Sequence, residues 1–142
     1  MQGSTLFRQL INFITSVHNA TAAMSSEIRL DHVTPIQYKI LEYLAVSQPQ
    51  TPSAISDCMH MSMPNTSREL RKLIEKGLCE KLSDPNDRRK QLFRLTAVGT
   101  EWINGIFAQI EVKFNERTKG LDAQERQELE QALQLLQRKV FY

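Results

Sequence analysis

Capping signals in the middle of the chain determine where its helices can begin. Thr34-Pro35 and Thr51-Pro52 each place a hydroxyl cap before a proline at the first helical position, which is a strong helix start. Ser62 is a third cap, directly after a predicted tight turn at His60-Met61. Gly77 suits the left-handed residue that follows a helix. These signals predict a helix to about Val46, a short helix from Thr51, a tight turn, and a helix from Ser62 to about Lys76.

Longer amphipathic helices are predicted on either side of this region. Towards the amino end, apolar residues recur at steps of three and four and predict one helix over about residues 4 to 30: Leu6, Leu10, Phe13, Ile14, Val17, Met24 and Ile28. Thr96 caps a fifth helix, which Gly120 ends. Asp122 and Glu125 form a predicted capping box for a sixth helix. That helix is expected to bury Leu129, Leu133, Leu136 and Val140.

Between the fourth and fifth helices the apolar period changes. Residues 78–82 and 91–95 are short and partly alternating, and the segment between them is rich in turn formers and charge. This pattern predicts a β-hairpin wing. The fold class is therefore mainly α with a small β-hairpin wing: a winged helix-turn-helix with N- and C-terminal dimerisation helices. We expect one domain over 1–142, with a core at 32–98 and dimerisation helices at 1–31 and 99–142.

The charge of the chain is concentrated in one segment. Residues 68–94 hold nine basic and five acidic residues, a net charge of +4, whereas the whole chain carries +2 and the remainder therefore −2. A basic segment in a near-neutral chain is typical of a surface that binds an anionic polymer such as DNA. A solvated basic helix face would look the same, so the charge alone does not decide between these interpretations.

The predicted fourth helix has the features of a DNA-reading helix. The major groove of duplex DNA admits one helix, whose amino end lies nearest the base edges. Asn65 is the best candidate for a base contact because its amide both donates and accepts. For Ser62 the alternative is a purely structural role, since it would cap the helix with or without DNA. The candidate DNA-binding residues are Ser62, Met63, Pro64, Asn65, Thr66, Ser67, Arg68, Arg71, Arg88 and Arg89.

The hairpin and the helix before it carry the most specific motifs. Asp84-Pro-Asn-Asp-Arg-Arg-Lys90, followed by Leu95-Thr-Ala-Val-Gly99, resembles the wing of the MarR family of transcription regulators. The segment Ser62 to Gly77 resembles that family's recognition helix. The resemblance implies an obligate homodimer in which the first, fifth and sixth helices interdigitate. It also implies that Arg89 enters a minor groove and that Asp87 orients the wing by pairing with an arginine.

The resemblance further implies a regulator, expected to be a repressor, that binds an inverted-repeat operator in double-stranded DNA. A small aromatic effector is expected between the dimerisation helices and the winged domain. Phe13, Val17, Tyr38 and Trp102 are candidates to line that pocket, and ordinary core packing is the alternative for all four. A winged-helix module that binds protein rather than specific DNA remains the alternative function.

Other functions have little support in the sequence. The chain has no glycine-rich phosphate loop, GxSxG or HExxH, so we expect neither an enzyme nor a cofactor. Cys58 and Cys79 form no CxxC pair, and Cys58 with His60 would supply only two metal ligands, so no metal site is expected. A redox-sensing thiol remains open. Without a signal peptide or an apolar run that could span a membrane, a cytoplasmic protein is expected.

Overall fold

The computed structural model describes residues 2–142 and contains six helices and one two-stranded antiparallel sheet. The elements are α1 (Thr5–Ser25), α2 (Pro35–Val46), α3 (Pro52–Met59), α4 (Met63–Glu75), β1 (Cys79–Ser83), β2 (Gln91–Leu95), α5 (Ala97–Thr118) and α6 (Ala123–Lys139). The predicted fold class, helices with a β-hairpin wing, is confirmed. The chain divides into two compact units, one ending at Gln109 and one spanning Ile110–Tyr142.

The predicted caps begin the central helices. The hydroxyls of Thr34, Thr51 and Ser62 each accept the backbone N–H three residues ahead, at 3.1–3.2 Å. Gln37 completes a capping box with Thr34, because its side-chain Oε1 accepts the N–H of Thr34 at 3.2 Å. His60 adopts a left-handed conformation with φ of 53°, which turns the chain from α3 into α4. Local hydrogen bonds therefore set the helix-turn-helix geometry before any packing is considered.

The core of the first unit lies among α2, α3, α4 and the hairpin. On each of these helices the fully buried side chains lie along one face, which is the pattern of an amphipathic helix packed on a core. The buried aliphatic residues include Ile40, Leu41, Leu44, Ile55, Leu70, Leu73 and Ile103. This cluster fixes α3 and α4 against each other and leaves the opposite face of α4 open to solvent.

Hydrogen bonds join the two strands of the hairpin to each other and join the hairpin to the chain before α3. Cys79 pairs with Leu95 and Ser83 with Gln91. The Arg94 Nε donates to Glu80 Oε1 across the strands at 2.6 Å. The backbone groups of Gln50 and Phe93 exchange two hydrogen bonds, of 3.0 and 2.8 Å. These bonds hold the base of the wing beside the helix-turn-helix segment.

Several expectations about the outer helices are wrong in detail. The first helix ends at Ser25, short of the predicted residue 30. Leu129, Leu133 and Val140 of the last helix are exposed rather than buried, and Leu136 is half-buried. Neither α1 nor α6 contains a buried residue. The apolar residues of these two helices therefore do not form part of the buried core.

Candidate nucleic-acid interface

The amino end of α4 is an exposed polar surface. Ser62, Met63, Pro64 and Asn65 are all exposed, as are Ser67, Arg68 and Arg71 further along the helix. The Oδ1 of Asn65 accepts the Nη1 of Arg68 at 3.4 Å, which orients the amide nitrogen of Asn65 away from that pair. The free N–H groups of a helix amino end favour anions. The solvent-facing side of α4 therefore combines an amide near its amino end with two guanidinium groups further along the helix.

Thr66 is the exception among the predicted contact residues. Its side chain is 0% exposed, and its hydroxyl donates to the carbonyl of Ser62 at 2.9 Å. Thr66 lies on the same helix stripe as Leu70 and Leu73, which face the core. The spacing of four and seven residues was the signal that could have assigned it to the interior. Thr66 is therefore excluded from the candidate interface.

A groove joins α4 to the hairpin. It has a volume of about 330 Å³, and Ser67 and Arg71 of α4 face Lys81 and Gln91 of the strands across it. Apolar groups from Pro52, Leu70, Ile74 and Phe93 form the remaining walls. The structure thus brings two predicted residues, Ser67 and Arg71, together with two that the sequence analysis missed. The apolar spacing of α4 groups Ile74 with Leu70 and Leu73 and predicts its burial, but Ile74 is 38% exposed here, so that prediction is wrong.

The tip of the wing is shaped by its acidic residues. Asp84 Oδ1 accepts the N–H of Asn86 at 2.9 Å, and Asp87 Oδ1 accepts the N–H of Arg89 at 3.0 Å. Aspartate commonly builds turns by bonding to the backbone two residues on. The bond that Asp87 makes is to the backbone of Arg89, so the structure shows it shaping the turn at the tip of the wing. The side chains of Arg88 and Arg89 are exposed at the tip.

The four candidate pocket residues separate into two pairs. The rings of Tyr38 and Trp102 meet edge to face, with centroids 6.4 Å apart, and both pack on the core. Burial and a hydrogen bond to Glu42 raise the pKa of the Tyr38 hydroxyl, so it stays protonated at neutral pH. Phe13 and Val17 are exposed on α1. Only Tyr38 and Trp102 are brought together by the structure.

The two cysteines differ in their surroundings. Cys79 is buried at the start of β1, and the loss of solvent raises the pKa of its thiol to about 12. A thiol with so high a pKa forms almost no thiolate at neutral pH and reacts slowly. Cys58 is exposed on α3. Among residues 2–142, His, Cys, Asp and Glu side chains form no group of three or more that could hold a metal ion.

The comparisons with known proteins identify the winged segment. The family model described as "MarR family" matches residues 33–90. This segment is a MarR-family domain. Wild-type MarR from E. coli, in its apo form, is 25% identical, covers 94% of this chain and 97% of its own, and superposes with a TM-score of 0.61. The comparison with curated protein sequences gives no match.

Two further structures share the fold over almost the whole chain. A MarR family protein from Bacillus stearothermophilus covers 100% of both chains at 15% identity with a TM-score of 0.80. S. aureus MepR bound to ethidium bromide covers 99% of this chain and 97% of its own at 20% identity with a TM-score of 0.65. The MarR family consists of transcriptional regulators rather than enzymes, in agreement with the absence of catalytic motifs from the sequence.

The MarR-family domain contains every candidate DNA-binding residue, since these fall between Ser62 and Arg89. Sequence reasoning missed Lys81 and Gln91, which line the groove from the strands. Both are polar residues on the predicted strands, and Lys81 contributes to the positive charge of residues 68–94, which was the available signal. Within the part of the chain that the structure describes, no helix is long and apolar enough to cross a membrane.

Proposed function

We propose that this protein is a sequence-specific transcription regulator that binds double-stranded DNA as a homodimer and represses until a small ligand releases it. One observation carries the proposal: the solvent-facing surface of α4 and the arginines of the wing tip are exposed, basic and part of the same MarR-family domain. Phosphate contacts supply most of the affinity for DNA, and contacts to base edges supply specificity.

Each element has a distinct role in this proposal. The amino end of α4 enters the major groove, where Asn65 reads base edges and Arg68 and Arg71 reach bases or phosphates. Arg88 and Arg89 extend from the wing into the adjacent minor groove, where narrow A·T tracts concentrate negative potential. Met63 and Pro64 are placed to contact a thymine methyl group, while Ser62 caps the helix and offers its backbone N–H to phosphate.

Dimerisation is supported by the apolar residues that the chain leaves uncovered. Leu6, Phe7, Phe13, Ile14 and Val17 are exposed along α1. Leu129, Leu133 and Leu135 are exposed along α6. Apolar patches of this extent are rarely left in water, and a second copy of the chain would bury them. A two-fold dimer carries two α4 helices about 34 Å apart and so reads an inverted repeat.

Ligand release is supported by the aromatic pair and by one related structure. Tyr38 and Trp102 present aromatic surface at the edge of the core, and S. aureus MepR binds ethidium, a flat aromatic cation. A ligand that prefers one spacing of the two α4 helices would lower DNA affinity by its differential affinity for the two states.

The test is a selection of genomic DNA fragments with the purified protein at two salt concentrations. We expect recovery of an inverted repeat whose affinity falls steeply as salt rises. Recovery without sequence preference, or no recovery at low salt, would contradict the proposal and favour a winged-helix module that binds protein.

The Asn65→Ala variant tests the base-reading role. We expect it to lower discrimination at one base pair in each half-site by about 1–3 kcal/mol, because an amide that pairs with a base edge is lost. Arg89→Ala is the matched contrast. It should weaken binding to every operator variant without lowering the discrimination at the base pair that Asn65 reads, and reduce the slope of log affinity against log salt by about one. Competition binding with every single-base operator variant measures both effects, and an unchanged preference profile for Asn65→Ala would count against direct readout.

A further inference from the structure

A buried amide links α4 to the rest of the fold. Gln37, in the first turn of α2, is 1% exposed. Its Nε2 donates to Glu69 Oε2 in the middle of α4 at 2.9 Å. Its Oε1 accepts the Lys76 Nζ at the end of α4 at 2.7 Å and the Thr34 N–H at 3.2 Å. One side chain therefore bonds to two positions on α4, a full two turns apart, and to its own helix cap.

The same network reaches the segment that leads from α1. The Nζ of Lys76 also donates to the carbonyl of His32 at 2.5 Å, in the link between α1 and α2. Glu69 is held in turn by Lys72, at 3.4 Å. The bonds of Gln37 to Glu69 and Lys76 join a neutral amide to charged groups in a partly buried setting, where such bonds are stronger than in water.

We propose that Gln37 is a positioning residue for DNA binding: its amide fixes the placement of α4 against α2 and the α1–α2 link. The inference rests on the proposed function. Gln37 touches no part of the candidate interface, which lies on the solvent-facing side of α4. It acts through Glu69 and Lys76, because a shift of α4 moves Asn65, Arg68 and Arg71 relative to the wing. A displacement of about 1 Å is enough to lose a bidentate base contact.

The capping box that Gln37 forms with Thr34 explains only one of the bonds of its side chain. A cap needs Gln37 Oε1 to accept the Thr34 N–H, which leaves Nε2 unused. The hydrogen bond that Nε2 donates to Glu69 joins residues 32 positions apart in the sequence. A glutamate would cap α2 equally well, so the glutamine-specific part of the side chain is the part that contacts α4.

The test reverses the direction of the bond between Gln37 and Glu69. Gln37→Glu keeps the cap and the Lys76 contact but sets two carboxylate oxygens against each other. Glu69→Gln keeps an acceptor for the Gln37 donor. The double variant Gln37→Glu/Glu69→Gln restores one donor and one acceptor in the opposite order. We expect operator affinity to fall about tenfold or more in Gln37→Glu, and to stay within about threefold of wild type in the other two.

Two further variants separate positioning from stability. Gln37→Met removes both the donor and the acceptor of the amide without adding a charge, so the test holds even if Gln37→Glu does not fold. We expect it to weaken operator binding several-fold. Ile103→Val is a core substitution on α5 that does not touch the network. We expect it to lower the free energy of unfolding by about as much as Gln37→Met does. Its operator affinity should equal that of wild type at a temperature where all variants are folded.

Hydrogen exchange of the DNA-free proteins provides an independent measurement. Backbone amides of α4 should exchange faster in Gln37→Glu and recover in the double variant. Wild-type affinity in both Gln37 variants, or a double variant as weak as Gln37→Glu, would overturn the inference. If wild type binds no DNA, the proposed function fails, together with the part of the inference that concerns affinity. The exchange pattern then still decides whether Gln37 positions α4: recovery supports that role, and unchanged exchange overturns it.

Discussion

Replacing Gly99 with alanine is expected to lower the free energy of unfolding by about 3 kcal/mol, because the added methyl group would collide with the backbone just before β1. A Cβ at Gly99 would lie 2.0 Å from the carbonyl oxygen of Leu78 and 2.9 Å from its carbon. That oxygen also accepts the Thr96 N–H at 3.1 Å, so it cannot move without breaking the junction of β1 with α5. Denaturant unfolding at a fixed protein concentration measures the loss.

Gly105→Ala is the matched control for this prediction. Gly105 lies on the same helix, and a Cβ there would meet nothing within 4 Å. Alanine should therefore leave stability unchanged or raise it by up to about 1 kcal/mol, since glycine is the poorer helix former. Equal stability of Gly99→Ala and wild type would show that the junction of β1 and α5 is looser than the structure describes.

Replacing Leu133 with aspartate is expected to weaken dimerisation about a thousandfold. Leu133 is 51% exposed on α6 and is part of the apolar face that we assign to the dimer interface. Loss of a buried leucine costs about 2 kcal/mol, and a two-fold dimer loses it twice, or about 4 kcal/mol in all. The added carboxylates increase the cost further. Sedimentation over a range of protein concentrations measures the dissociation constant, and operator affinity should fall with it.

The control for charge is Gln134→Asp. This residue is exposed on the same helix and points about 100° away from both Leu133 and Leu135, so the variant adds the same charge outside the apolar face. We expect it to dimerise like wild type. Because Leu133 is exposed in the single chain, its substitution should leave the protomer folded. A Leu133→Asp protein that dimerises normally would exclude this face of α6 from the interface.

The boundaries of the central elements followed from local chemistry. The caps at Thr34, Thr51 and Ser62 each use a hydrogen bond over three residues, so the sequence contains both partners. The wing was predictable for a similar reason, since its turn is built by Asp84 and Asp87 from bonds over two residues. Interactions of such short range depend little on the remaining fold.

Side-chain environments along α4 were less predictable. Leu70, Leu73 and Ile74 have similar hydrophobicity, yet the first two are buried in the core and Ile74 lines the open groove. Thr66 was assigned to the interface as a polar residue near the helix start, but it faces the core. The helical period defines a stripe, and the position of its edge depends on which elements pack against it.

The sequence by itself determined the order of helices and strands, the caps that begin them and the basic character of α4 and the wing. The tertiary structure alone decided which polar groups meet across the fold. The bond from Gln37 to Glu69 and the contact of Gly99 with Leu78 join residues 32 and 21 positions apart. Local signals cannot specify such partners, because the distance between them is fixed only when the core closes and sets α2, α4, the hairpin and the start of α5 against one another.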